Sequence, residues 1–393
     1  MIKCVICSNR ISSVFSLGLQ PMANKYPEKK SDFEDEFKDE MKVYLCEPCG
    51  YVNVPCGVER SSFFEDYYYL SSVNKELAEH FDGLSESIAQ SRYGFVIDIG
   101  SNDGVLLKPL TERGVRCIGI DPSENVSAIA NKRGLKTEVG FFDRNMATKI
   151  SQNYEPADLV TASSVFTHLE NPLEFFDDVK KIIKPTGSVI IEVEYLPKIF
   201  SEIAFERFYF DRPHYYSLRA LSKIGEARGF KVVDAELINV HGGSIRVTFS
   251  RDGTSFVAER VKELLRFEGD LLSKVYIEEK YSEFQKACDQ LKAAILNYKK
   301  NGIKVAGYGC PARFSTITNY AGIGNSLLDF VIDDSTLKQA RYSPGAHIPI
   351  VQYREDLDIQ VFIVFAYEYI KSIKHKVADN KYKFFKPVPY VEI

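Results

Sequence analysis

The stretch Phe95-Val-Ile-Asp-Ile-Gly-Ser-Asn-Asp-Gly104 decides the fold class. Its first five residues form a short, nearly continuous apolar run, which reads as a strand buried on both faces, as in a parallel sheet. The glycines at 100 and 104 break the run into a turn, and the pattern from Val105 onward is helical. The same alternation continues outward. Val115-Arg-Cys-Ile-Gly-Ile120 is a second strand ending at Asp121, Leu159-Val-Thr-Ala162 a third, and Ser188-Val-Ile-Ile-Glu-Val193 a later one after the Lys184-Pro-Thr-Gly187 turn. Strands alternating with helices predict an α/β fold with a doubly wound, Rossmann-like sheet, whose ligands sit at the carboxyl ends of the strands.

Those ends hold the informative residues. Gly100 and Gly104 permit close approach of the backbone to a ligand, and Asp121 can accept both ribose hydroxyls of a nucleoside. The turn lacks the G-x-G-x-x-G that cradles a pyrophosphate, so it suits the amino-acid end of S-adenosylmethionine better than NAD. Gly100, Ser101, Asn102, Gly104 and Asp121 are the expected cofactor residues. Phe141 or Phe142, with Asp143, is expected to border the adenine, and Ser163 or Ser164 to face the cofactor.

On the N-terminal side lie Cys4-Val-Ile-Cys7 and Cys46-Glu-Pro-Cys49. Two close thiolate pairs can close a tetrahedron around Zn²⁺, and with four cysteines no position is left open for a catalytic water, so the expected zinc is structural, in a zinc-ribbon-like module. The aromatic stretch from Phe63 to Ser72 marks a junction, followed by a helical pattern with Leu77, Phe81, Leu84 and Ile88. On the C-terminal side, residues 256–300 read as amphipathic helices with Val261, Leu264, Leu265, Leu271, Leu272, Val275, Phe284, Leu291, Ile295 and Leu296 on their apolar faces. A second Rossmann-like unit follows, with the strand from Ile303 to Gly309, a helix from Ala312, and a strand from Leu328 to Ile332 ending at Asp333 and Asp334. Gly307-Tyr-Gly-Cys-Pro-Ala312 fits a dinucleotide fingerprint, which keeps a nicotinamide-dependent oxidoreductase as a rival reading; Pro311 counts against it by removing an N–H from the helix start. The expected division is 1–74, 75–255 and 256–393.

The 393 residues carry 50 Lys+Arg against 54 Asp+Glu, a net charge of −4, with 45% hydrophobic residues. This is the composition of an ordinary globular protein and excludes a basic nucleic-acid surface at the level of the whole chain. The longest apolar runs are strand-sized, so no membrane partner is expected. The first residues carry no targeting pattern, and a cytoplasmic enzyme is the default.

The ordered set Cys4/Cys7/Cys46/Cys49, Asp66-Tyr-Tyr-Tyr-Leu-Ser-Ser72, Ile99-Gly-Ser-Asn-Asp-Gly104, Val165-Phe-Thr-His168, Glu192 with Tyr195, His241-Gly-Gly-Ser-Ile-Arg246, Gly307-Tyr-Gly-Cys-Pro-Ala-Arg313 and Tyr342-Ser-Pro-Gly-Ala-His-Ile-Pro349 resembles the S-adenosylmethionine-dependent sugar C-methyltransferases acting on nucleotide-linked 4-keto-deoxysugars. The resemblance spans essentially the whole chain. It implies a zinc module, a methyltransferase domain and a C-terminal Rossmann-like domain without its own cofactor, with a nucleotide sugar held between domains. Methylation beside a ketone requires a base for the α-proton and a donor for the enolate oxygen. The family's base lies in a Tyr-His-Glu-His run; here the run is Tyr209-Phe210-Asp211-Arg212, and Arg212 cannot take a proton near neutral pH. His214 is the expected replacement base and His168, which matches a family histidine, an acid/base candidate; the run's tyrosine is kept as Tyr209, its Glu becomes Asp211, and Tyr69 is expected to donate to the acceptor oxygen. His241, Arg246, Tyr308, Arg313, Lys338 and Arg341 are expected on the substrate, the last four on its diphosphate. With the family histidine replaced, O-methylation of a sugar or sugar nucleotide stays open beside C-methylation, as does a homologue that binds nucleotide sugar without methylating it.

Overall fold

The computed structural model describes residues 1–64, 70–240, 242–252, 256–377 and 381–393. Its central sheet has seven strands in the order Lys231–Ile238, Ser244–Ser250, Ile183–Glu194, Ala157–Ser163, Phe95–Ile99, Arg116–Asp121, Thr137–Val139. All run parallel except Ser244–Ser250, which is antiparallel to both neighbours. The chain order reverses at Phe95–Ile99, so a crevice opens where this strand parts from Ala157–Ser163 and the connections leave in opposite directions. Every residue of Phe95–Ile99 is buried, as its unbroken apolar run requires.

The helix Lys75–Gln90 packs on one face of this sheet. Asn74 caps it by accepting from the Leu77 N–H at 3.1 Å, and Leu77, Phe81, Leu84 and Ile88 are buried against Val96, Leu159 and Ile190. Each such side chain contributes about 1.5–3 kcal/mol by leaving water. The later helices are Glu259–Glu268 and Lys274–Lys300. Val261, Leu272, Phe284, Leu291 and Ile295 are buried as expected, but Val275 and Leu296 are exposed, because the long helix presents only one stripe to the core.

The N-terminal segment forms an antiparallel sheet of Ser13–Pro21, Lys38–Cys46 and Tyr51–Asn53, whose fourth strand, His214–Tyr216, comes from the middle of the chain. The C-terminal sheet runs Ile350–Val351, Val331–Ile332, Val305–Tyr308, Val361–Val364, Lys383–Lys386, Val391–Glu392, parallel but for the last strand. Aromatic packing joins the three parts. Phe15 meets Phe205 edge-on at 5.0 Å and stacks on Tyr281 of the long helix at 4.7 Å. No helix among the described residues is long and apolar enough to cross a membrane.

Candidate active site and metal centre

The turn after Phe95–Ile99 sits at the mouth of the crevice. Asp121 ends the neighbouring strand and accepts the Asn102 and Ser123 backbone N–H groups, each at 2.9 Å. Burial raises the carboxyl's pKa, these two donors oppose the rise, and both oxygens keep lone pairs for further hydroxyl donors. Ser101 Oγ, packed over Gly119 of the neighbouring strand, and Ser163 Oγ, at the end of Ala157–Ser163, are buried without a partner. A site with a fixed carboxylate and two orphaned hydroxyls fits a polar nucleoside ligand such as S-adenosylmethionine. Burial also pushes Asp98, which accepts from Thr161 Oγ1 at 2.7 Å, up to about 7.

The glycines also meet a packing demand of the turn itself. Gly100 and Gly104 have φ of +76° and +83°, and added Cβ atoms would meet Val165 Cβ at 2.8 Å and Leu135 Cδ1 at 2.5 Å. They are glycine because the turn is left-handed and packs tightly on the protein's own side chains. Phe142 is corrected: its ring lies in the core against Phe175, at 5.5 Å. Its neighbour Phe141 carries the Arg60 guanidinium 4.4 Å over its ring, with Phe64 edge-on at 6.0 Å. Ser164 holds a left-handed φ of +59° and donates its N–H to the Glu192 carbonyl at 2.8 Å.

His168 follows in the short turn Phe166–His168. Its Nδ1 bonds the Asp211 carbonyl, an acceptor only, so Nδ1 carries the proton and Nε2 the lone pair. Among the described residues nothing is bonded to Nε2. Burial holds the imidazole neutral, with its pKa lowered to about 4. The backbone of Asp211, not its carboxylate, makes this contact. His214 is a correction to its expected role as base: Tyr51 Oη lies 2.5 Å from Nδ1 and the Glu170 carbonyl 3.3 Å from Nε2, so both nitrogens are engaged. Burial lowers its pKa to about 4 as well.

Beside this loop, charged groups converge where the middle and C-terminal parts meet. Arg212 donates to Glu194 at 2.6 Å and lies 5.3 Å over the Tyr209 ring. Tyr209 is buried, its pKa is raised by burial, and its hydroxyl stays protonated. Arg313 pairs with Glu368 at 2.6 Å and covers the Tyr367 ring at 4.7 Å; Arg207 reaches the same Glu368 at 3.6 Å. Glu206 is 1% exposed, has one oxygen without a partner, and is raised in pKa by burial. Arg207, Glu206, Glu368 and Tyr367 have no motif around them, and sequence reading missed them.

Four expected substrate residues lie elsewhere. Arg246 pairs with Glu192 at 2.6 Å and Glu236 at 2.8 Å on the sheet face, where His80 also reaches Glu192 at 2.9 Å. Tyr308 is buried and its hydroxyl donates to Asp334 at 3.3 Å. Lys338 donates to the Cys310 carbonyl at 3.1 Å and lies over the Tyr26 ring, and Arg341 pairs with Glu28 at 2.8 Å. Both cations therefore hold the N-terminal segment. Tyr69 and His241 lie outside the described residues.

The Sγ atoms of Cys4, Cys7, Cys46 and Cys49 lie within 4.8 Å of one another, Cys7 and Cys46 at 3.6 Å. Tetrahedral Zn–S bonds of about 2.3 Å place sulfurs about 3.8 Å apart, so the donor set fits this metal.

Two family profiles cover most of the chain. One described as a methyltransferase domain matches residues 69–235, and one described as a C-methyltransferase C-terminal domain matches 239–389. The C-methyltransferase NovU of Streptomyces niveus is 27% identical over 98% of this chain and 95% of its own length. The ubiquinone biosynthesis O-methyltransferase of Rhodopseudomonas palustris strain TIE-1 is 31% identical over only 31% of this chain and 48% of its own. Among solved structures, the Synechocystis magnesium protoporphyrin IX methyltransferase with bound S-adenosylmethionine overlaps 46% of this chain and 82% of its own, at 15% identity and a TM-score of 0.36. On the strand order, the site and the full-length likeness to a C-methyltransferase, this chain belongs to the S-adenosylmethionine-dependent C-methyltransferase family.

Proposed function

We propose that the protein methylates a carbon next to a ketone in a nucleotide-linked sugar, with His168 as the base. The observation that carries this reading is the His168 imidazole, held neutral with its lone pair on Nε2, under the charge of the Arg212 guanidinium that lies over the Tyr209 ring. When bound, S-adenosylmethionine supplies a methyl group on a sulfonium that leaves without protonation. Gly100 to Gly104 and Asp121 hold that cofactor. His168 Nε2 takes the α-proton. Tyr209 Oη and the Arg212 guanidinium stabilise the enolate oxygen, so Arg212 turns the family's base position into an electrophilic one. Arg313 and Arg207, which share Glu368, offer positive charge to the diphosphate. The four cysteines hold a structural zinc.

The test is transfer of a ¹³C-methyl label to a panel of keto and fully hydroxylated nucleotide sugars, read by NMR. Label on the carbon beside the ketone is expected, with His168→Gln slower by about 10²–10⁴-fold. Label on oxygen would overturn the proposed reaction.

A further inference from the structure

We infer that the edge strand His214–Tyr216 is a positioning element for His168, and that Tyr51, His214 and Tyr216 are positioning residues for the reaction. The inference rests on the reading of His168 as the base. The loop carrying His168 is gripped at three alternate residues. Tyr216 Oη donates to the Phe166 carbonyl at 3.2 Å, the Asp211 carbonyl accepts from His168 Nδ1, and His214 Nε2 donates to the Glu170 carbonyl at 3.3 Å. All three partners come from residues 211–216, and they bracket the histidine on both sides.

The bonds have a fixed polarity. Because the Glu170 carbonyl can only accept, His214 carries its proton on Nε2, and Nδ1 must accept from the Tyr51 hydroxyl. That hydroxyl accepts in turn from Asn53 Nδ2 at 3.2 Å. A directed chain therefore runs from Asn53 through Tyr51 and His214 to the loop. The strand itself is anchored on two sides: His214, Tyr215 and Tyr216 pair with Asn53, Val52 and Tyr51, and Tyr216 also bridges to Tyr195 at the end of the central sheet.

The consequence for catalysis is a matter of tautomer. With Nδ1 on the Asp211 carbonyl, Nε2 is free to receive a proton. If the loop shifts and that bond is lost, the other tautomer becomes accessible, with a proton already on Nε2, and in that form the imidazole cannot act as a base through that atom. A small displacement of 166–170 thus removes active molecules rather than weakening each one, so the loss should fall on kcat.

Tyr216→Phe deletes one hydroxyl without changing shape, and His214→Phe, which has neither donor nor acceptor, breaks the chain at its centre. Each should lower kcat about tenfold to a hundredfold while leaving the acceptor KM and the Kd for S-adenosylmethionine within about twofold. Long-range ¹H–¹⁵N NMR of His168 should show the Nδ1–H tautomer in the parent and a mixture in both variants, with thermal unfolding confirming that Tyr216→Phe is folded. Unchanged kcat and an unchanged tautomer in Tyr216→Phe would overturn the inference. Full turnover in His168→Gln, by contrast, would sink the base assignment, and the tautomer measurement would still report whether the strand orients that ring.

Discussion

Asp121 and Asp333 close the second strands of the two Rossmann-like units, and each collects one backbone N–H from the glycine turn beside it and one from the residue two positions further along its own segment. Asp121 accepts from Asn102 and Ser123, and Asp333 from Cys310 at 2.7 Å and Ser335 at 2.9 Å. There the likeness stops. Asp121 has no ion pair among the described residues, whereas Lys338 Nζ lies 3.4 Å from Asp333 and also donates to the Cys310 carbonyl. Tyr26, from the N-terminal segment, donates to that same carbonyl at 2.8 Å. The second turn is thus roofed by the protein's own side chains, Lys338 and Tyr26. A glycine turn with an acid specifies the shape of a nucleoside site; a remote segment decides whether anything else can enter it.

The N-terminal segment touches both units, through Tyr51 on the first and Tyr26 on the second, so disrupting its four-cysteine cluster should have the largest effect. Chelation, or a Cys4→Ser, Cys46→Ser double variant, is expected to unfold the module and abolish turnover, with metal content read by mass spectrometry and folding by circular dichroism. Full activity in a metal-free protein would break that expectation. Next in size, Asp121→Ala should weaken S-adenosylmethionine by about 2–3 kcal/mol, some 30- to 150-fold in Kd, while Asp333→Ala leaves that Kd unchanged and lowers only thermal stability; calorimetric titration separates the two. Equal effects would mean that the units share the ligand.

Acid should act on the first unit's side. His168 and His214 have folded pKa values of about 4, below the ordinary 6.5, so the folded state refuses protons that the unfolded chain accepts. Their stabilisation is complete above about pH 6.5 and lost as pH falls toward 4, at up to about 2.7 kcal/mol per pH unit for the two. Urea midpoints at pH 7, 6 and 5 measure this, and His214→Gln should remove about half of the slope. Smallest, Tyr26→Phe should cost about 1 kcal/mol and leave the stoichiometry at one S-adenosylmethionine per chain. NAD binding by this variant would show that the roof alone had kept a second site closed.

The strand at 95–99, its turn, Asp121 and the four buried apolar residues of Lys75–Gln90 were legible because each is a local pattern: a short apolar run, two glycines, a helical spacing. The cysteine pairs were legible because metal ligation demands that residue type at close spacing. What escaped depends on long-range register. Lys338 and Arg341 looked like free cations at a turn, and only the fold brings Tyr26 and Glu28 to them. His214 looked like a displaced base, but burial between Tyr51 and Glu170 uses both its nitrogens. Phe141 and Phe142 are adjacent, and no spacing rule says which of two neighbours turns inward.

The strand His214–Tyr216 also orders events in time. Tyr51 and His214 are 163 residues apart, yet their pairing completes the N-terminal sheet. During synthesis the cysteines can gather a metal early, but Tyr51–Asn53 remains an open edge until the ribosome has released the whole first half of the chain. A nascent protein therefore carries an unpaired strand through most of the central sheet's assembly, and a truncated N-terminal fragment keeps that edge permanently, as a template for aggregation.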